Sequence, residues 1–158
     1  MIRFVRGNNM DLWEKHRGES DQSICIIGVI ILGVKLCEVD GHFSDFERDE
    51  ILKTIPHEEN QKNTLLKLIE EAEKDKNPID YHAERIKKFI AIEHKDFLEF
   101  IVAVLIKFAK SDHRYSEVER NTIEKVAMIF GIRKNESFLD INLQNIKQKL
   151  NWGSINNG

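Results

Sequence analysis

Apolar residues gather into two continuous runs and several stripes of helical period. Residues 24–34 are eleven positions without a polar side chain, and residues 100–106 form a second run. A membrane-spanning helix needs about 20 apolar residues, so the first run is too short to cross a bilayer. It predicts instead a buried central helix over 22–39, apolar on every face because other helices surround it. A buried strand would suit the Ile and Val content, but the run continues too far into Lys35-Leu36-Cys37. Gly28 and Gly33 lie inside this helix, where each costs about 1 kcal/mol against alanine. Close approach of a neighbouring helix is the expected compensation.

The remaining stripes predict further helices. Residues 10–17 form a short one, with Leu12 and Trp13 turned back onto the body. A helix starting after Ser44 stops near Ile55, because Pro56 cannot continue it and suits the first turn of the next. That next helix, 57–74, turns Leu65, Leu66, Leu68, Ile69 and Ala72 inward. Asn77 caps a helix with Pro78 at its first position, and Ile79, Ala83, Ile86, Phe89 and Ile90 share one face to about residue 92. Residues 95–111 carry the second apolar run and form the counterpart of the 22–39 helix. Ser116 caps a helix over 117–130 that closes at Gly131. A last helix spans 134–150 with Phe138, Leu139, Leu143, Ile146 and Leu150 inward. No segment keeps a period of two for long. The expected class is therefore all-α, an internally duplicated helical bundle of about seven helices. Its organisation is an arm (1–21), a helical domain (22–150) and a tail (151–158).

Duplication shows in one motif that occurs twice. Asp40-Gly41-His42-Phe43-Ser44-Asp45-Phe46-Glu47-Arg48 is matched by Asp112-His113-Arg114-Tyr115-Ser116-Glu117-Val118-Glu119-Arg120. Both fit Asp-x-x-aromatic-Ser-x-x-Glu-Arg. Over 35–53 against 107–125 there are seven identities: Lys35, Asp40, Ser44, Glu47, Arg48, Ile51 and Lys53 with their partners. In each copy the serine and the glutamate three residues on have the spacing of a capping box. Asp45 and Glu117 then lie in the first turn, where the helix dipole favours negative charge. Phe43 and Tyr115 are placed to staple the new helix to the core. Gly41 suits a left-handed residue closing the preceding helix. His113 takes its place in the second copy.

Composition narrows the function classes. Apolar content of 41% and charged content of 32% are those of a globular protein. A net charge of -3 with both signs interspersed carries no nucleic-acid footprint. Cys25 and Cys37 suggest no disulfide framework, and their apolar surroundings raise thiol pKa and quiet reactivity. The six histidines show no zinc-ligand spacing, so solvated or locally bonded roles are expected for all of them. Arg85, Lys87 and Lys88 read as a solvated helix face. No phosphate loop and no nucleophile elbow is present, so no enzymatic activity is expected.

Metal chemistry has one opening. The motif overlaps the second half of an EF-hand loop, with Asp40 at position five and Glu47 at twelve. Position one would be Leu36, or Phe108 in the second copy, where a carboxylate is required, so a true EF-hand is excluded. A looser divalent site, for calcium or magnesium, would use Asp40, Glu47, Asp112 and Glu119. Capping and turn-closing roles need no metal, and no cofactor is required.

Two Asp-x-x-aromatic-Ser-x-x-Glu units, each after a buried helix, resemble the TerB-like helical domain. That domain occurs in tellurite-resistance TerB proteins and at the front of membrane-anchored, DjlA-type DnaJ-like co-chaperones. The spacing from Asn77 to Ile92, through 96–112, to Gly131-Ile132 is similar to the DjlA type in particular. The resemblance covers roughly 22–143. It implies an all-helical, duplicated bundle with an acidic surface and no established catalysis. Two features depart from the DjlA type. Nothing before Gln22 can span a bilayer, and there is no His-Pro-Asp tripeptide, so contact with a DnaK-type chaperone would need a J domain absent from this chain. The expectation is a cytoplasmic interaction or regulatory module, at the inner membrane face if part of a longer anchored protein. Its partner is a protein or a second copy, with Asp45 and Glu117 as the contacting acids. The alternative is a stand-alone stress (tellurite) resistance protein that binds a divalent cation through its acidic loops.

Overall fold

The computed structural model describes residues 11–39, 41, 43–55, 57–110 and 115–132. Asp40, His42, Pro56, Asp112 and His113, the expected 134–150 helix and the 151–158 tail lie outside the described residues. Within them the chain is all-α. Its helices are α1 (Asp21–Glu38), α2 (Asp45–Thr54), α3 (Lys62–Lys74), α4 (Ile79–Phe89), α5 (Lys95–Lys110) and α6 (Glu117–Phe130). No strand occurs among the described residues.

α1 is the axis, and each of the other five helices packs against it. Ser20 starts it, its Oγ accepting the Ser23 N–H at 3.2 Å, with Asp21 in the first turn. Every residue from Ser23 to Cys37 is buried, which is why the run has no polar face. Full burial of a single Ile such as Ile30 contributes about 1.5–3 kcal/mol. The glycines sit where neighbours come closest. A Cβ on Gly28 would stand 2.9 Å from Ile86 Cδ1, and one on Gly33 would stand 2.7 Å from Phe108 Cε2.

Its repeat counterpart α5 is less central. Lys107 faces solvent, whereas Lys35, at the matching position, is 6% exposed. The expected counterpart of the 22–39 helix is thus buried over most of its length, from Phe97 to Ala109, but amphipathic, because only part of its circumference is covered. It packs on α1, α2 and α6. Lys35 keeps its charge satisfied by donating from Nζ to the Asp75 carbonyl and approaching Glu38 at 3.4 Å.

Helix ends differ from expectation where side chains find other partners. The helical turn after Ile55 begins at Glu59, not residue 57, with a Glu58–Gln61 capping box leading into α3. Asn77 does not cap α4. Its backbone N–H and side-chain amide are turned to the Asp75 carboxylate at 2.7 and 3.4 Å, so Pro78 becomes the cap and supplies no side-chain hydrogen bond. Gly41 has φ +151°, a positive, extended conformation that favours glycine. The compact turn closing α1 is made by Val39, whose N–H donates to Leu36 O. α6 ends as expected. Gly131 has φ +77° and donates to Met128 O at 3.0 Å, while Ile132 N–H reaches Ala127 O at 2.9 Å, a Schellman closure.

Ahead of α1, Leu12–His16 form a 3₁₀ turn capped by Asp11. Leu12 and Trp13 are buried in the core as expected.

Candidate functional site

The described parts of the two motif copies, 43–48 and 115–120, build the same local structure. In the first, the Ser44 N–H and hydroxyl donate to Glu47 Oε1 at 2.8 and 3.0 Å, and the Glu47 N–H donates back to Ser44 Oγ at 3.2 Å. In the second, the Ser116 N–H donates to Glu119 Oε1 and the Glu119 N–H to Ser116 Oγ, each at 3.0 Å. These are complete capping boxes at α2 and α6. Phe43 and Tyr115 lean on the core from just outside each cap. Arg48 lies over the Phe43 ring at 5.5 Å, and Arg120 over Tyr115 at 5.0 Å. One turn on, Ile51 and Ile123 anchor the two helices. The contacts repeat along with the residues, so the duplication is structural as well as sequential.

The outward side of each unit is also matched. Asp45-Phe46 and Glu117-Val118 occupy the same two positions, and Phe46 and Val118 are 51% and 50% exposed. Two large apolar side chains thus stand in water at equivalent points beside an acid. Of the two acids read as partner contacts, Asp45 has a partner within the chain. Its Oδ1 meets Arg48 Nη1 at 2.7 Å, although the Asp45 side chain is 95% exposed. Arg48 also reaches Glu73 Oε1 at 2.9 Å, tying α2 to α3. The hydrogen bond to Glu73, ahead of the charges around it, holds the guanidinium even above its ordinary pKa. Glu117 is exposed.

Of the four carboxylates named for a divalent cation, Asp40 and Asp112 lie outside the described residues. Glu47 and Glu119 are drawn into the capping boxes, and Glu119 is only 7% exposed. Among the described residues no group of three or more His, Cys, Asp or Glu is arranged to hold a metal ion. Cys25 and Cys37 are both buried. Burial pushes the Cys25 thiol well above its ordinary pKa, and its Sγ donates to Phe97 O at 3.6 Å.

Three features escape the sequence. The first is an open groove of about 500 Å³ where the α3–α4 connection meets the end of α1 and the middle of α6, lined by Lys35, Glu38, Glu73, Asp75, Asp80 and Lys125 among others. It assembles from four separate segments, so no local spacing announces it. The second is His82, which is fully buried and bonded to Trp13, far away in sequence, and to Asp75 in the preceding connection, rather than solvated. Its signal was present: position 82 falls on the buried stripe of Ile79, Ala83 and Ile86. The third is Arg85, which is not a solvated basic residue. It reaches Asp11 and Glu14 at 3.5 and 3.2 Å and lies 5.5 Å over Phe89.

No helix among the described residues is long and apolar enough to cross a membrane. Comparison with curated proteins and with solved structures found no match. The family model of the tellurite resistance protein TerB matches residues 27–139, from within α1 past the end of α6. That match spans more than half of the sequence and both motif copies, and the chain belongs to the TerB family.

Proposed function

We propose that this chain is a non-enzymatic interaction module that uses its two motif units to bind a protein partner or a second copy of itself. The observation that carries the reading is the matched exposure of Phe46 and Val118 beside Asp45 and Glu117. Exposed apolar side chains contribute affinity once covered, and flanking acids contribute steering and orientation. The regulatory region of a DjlA-type co-chaperone is the setting that such a module suits best. A J domain encoded in the same gene would support that setting. Two buried, reduced cysteines favour a cytosol-facing location.

Phe46→Ser with Val118→Ser tests the surface. Both positions are half exposed, so each change should alter stability by no more than about 0.5 kcal/mol. Capture of the partner, or self-association measured by sedimentation, should fall at least roughly tenfold, the loss of about 1.4 kcal/mol. Reversing Asp45 and Glu117 to lysine should lower the association rate and its salt dependence, at a helix-dipole cost of about 0.3–1 kcal/mol each. Unchanged capture and unchanged self-association in the serine pair, with helicity intact, would exclude these units as the binding surface.

The TerB match supports a second reading, a stress (tellurite) resistance protein; in it, the acidic loop residues Asp40, Glu47, Asp112 and Glu119 would bind calcium or magnesium. Millimolar calcium or magnesium would then raise the melting temperature by mass action. No heat and no thermal shift in that titration would remove the cation.

A further inference from the structure

The turn Leu12–His16 is attached through two buried side chains, Leu12 and Trp13, and only the indole carries a polar group. Trp13 is 0% exposed. Its ring meets Phe89 edge-on at 5.8 Å and tilts over His82 at 6.2 Å. Its Nε1–H donates to His82 Nδ1 at 2.9 Å. An indole nitrogen only donates, so His82 Nδ1 carries no proton. The proton of the neutral ring is therefore on Nε2, which donates to Asp75 Oδ1 at 3.0 Å. Both ring nitrogens are then satisfied, and a second proton has only Nδ1 to go to, where it would point at the Trp13 N–H. A docked Trp13 and a protonated His82 exclude each other.

The charges around His82 come from three directions. Asp75, in the α3–α4 connection, and Asp11, beside the turn, favour the charged ring, while Lys35 of α1 opposes it. Burial outweighs them and holds the ring below the usual 6.5. The Tyr81 ring closes another side at 5.3 Å. His16 also meets Trp13 edge-on, 6.4 Å between centroids. Burial also lowers the His16 pKa, with Glu71 acting against it and Lys15 with it, and His16 Nε2 is buried without a hydrogen-bond partner among the described residues. The other attachments of the turn are nearer the surface: Tyr81 OH to Asp11, Arg85 to Asp11 and Glu14, and Lys15 to Glu71 at 3.1 Å.

We infer that the Leu12–His16 turn is a proton-gated latch, held on α4 while His82 is neutral and released when His82 takes a second proton. Release turns the indole out to solvent and uncovers the Phe89 side of α4, while the helices behind it stay packed. The device is independent of the motif units.

Trp13 emission reads the latch directly once Trp152→Phe leaves it as the only indole. Titration runs from roughly pH 8, above ordinary histidine protonation, down to the pH at which helicity is lost. Emission should shift to the red and acrylamide quenching should rise severalfold, with a midpoint below 6.5 and constant far-ultraviolet dichroism. His82→Gln keeps a donor and an acceptor but does not titrate, and should flatten the response. Asp75→Asn removes a charge that favours imidazolium and should move the midpoint to lower pH, a test that stands even where His82→Gln fails to fold. An indole that stays blue and unquenched down to the pH at which helicity itself is lost overturns the latch. So does a transition that coincides with loss of helicity, one that persists in His82→Gln, or one unmoved by Asp75→Asn.

Discussion

Replacing Gly33 by alanine sets two effects of similar size against each other. Alanine in a helix interior is favoured over glycine by about 1 kcal/mol. Against that, the new methyl carbon would lie 2.7 Å from Phe108 Cε2 and 3.0 Å from Cδ2. Phe108 is 7% exposed on α5, and a ring cannot fold its edge away. Either the ring leaves its rotamer or α5 moves off α1, and overpacking of this kind costs typically about 1–3 kcal/mol. The expected net loss is about 1 kcal/mol, or a fall of about 2–4 °C in Tm for a chain of this size. Gly28→Ala is the internal control. Its methyl carbon meets Ile86 Cδ1 at 2.9 Å, the flexible end of a side chain. A shift there costs about 0.5–1.5 kcal/mol, which the helix gain offsets. Stability should stay within about 0.5 kcal/mol of wild type, the range of substitutions without a named disruptive mechanism. Urea unfolding followed by circular dichroism, with the slope checked for constancy, gives both values. If Gly33→Ala proves as stable as Gly28→Ala, close packing of α5 on Gly33 is not what holds the two central helices together.

Two further outcomes follow from the helix starts. Ser44→Ala and Ser116→Ala should each cost about 1 kcal/mol through the lost cap, and Ser116→Ala the more, because Glu119 is 7% exposed and its backbone N–H loses the Ser116 Oγ acceptor away from water. Equal Tm losses would refute that ordering. His94 sits 2.7 Å from Asp21 Oδ2 at the start of α1, and this hydrogen bond raises its pKa above the usual 6.5. The stabilisation is complete below 6.5 and fades as pH rises through the raised value. Nuclear magnetic resonance titration should find that value above 6.5 and bring it back toward 6.5 in Asp21→Asn. No change in the variant would refute the pairing.

Much of the architecture was legible because it is local. Unbroken apolar composition over 24–34 can only be hidden by enclosure, and α1 is enclosed. Ser-x-x-Glu needs nothing beyond its own turn to close a capping box, so both boxes formed as the spacing predicts. Gly131 closes α6 for the same reason. What tertiary structure alone decided concerns groups whose partners are distant in the chain. Lys35 and Lys107 are the same residue at the same repeat position, yet α1 is covered all round and α5 is not, so one is buried and the other solvated. Asp75 could have been one more loop acid; packing makes its carboxylate the partner of His82 and its carbonyl that of Lys35. Arg48 meets Asp45 within its own helix, but its second partner, Glu73 of α3, arrives only through packing. A residue's spacing determines which helix it caps or which stripe it joins, whereas its charge, burial and hydrogen-bond partner depend on which other helix arrives opposite.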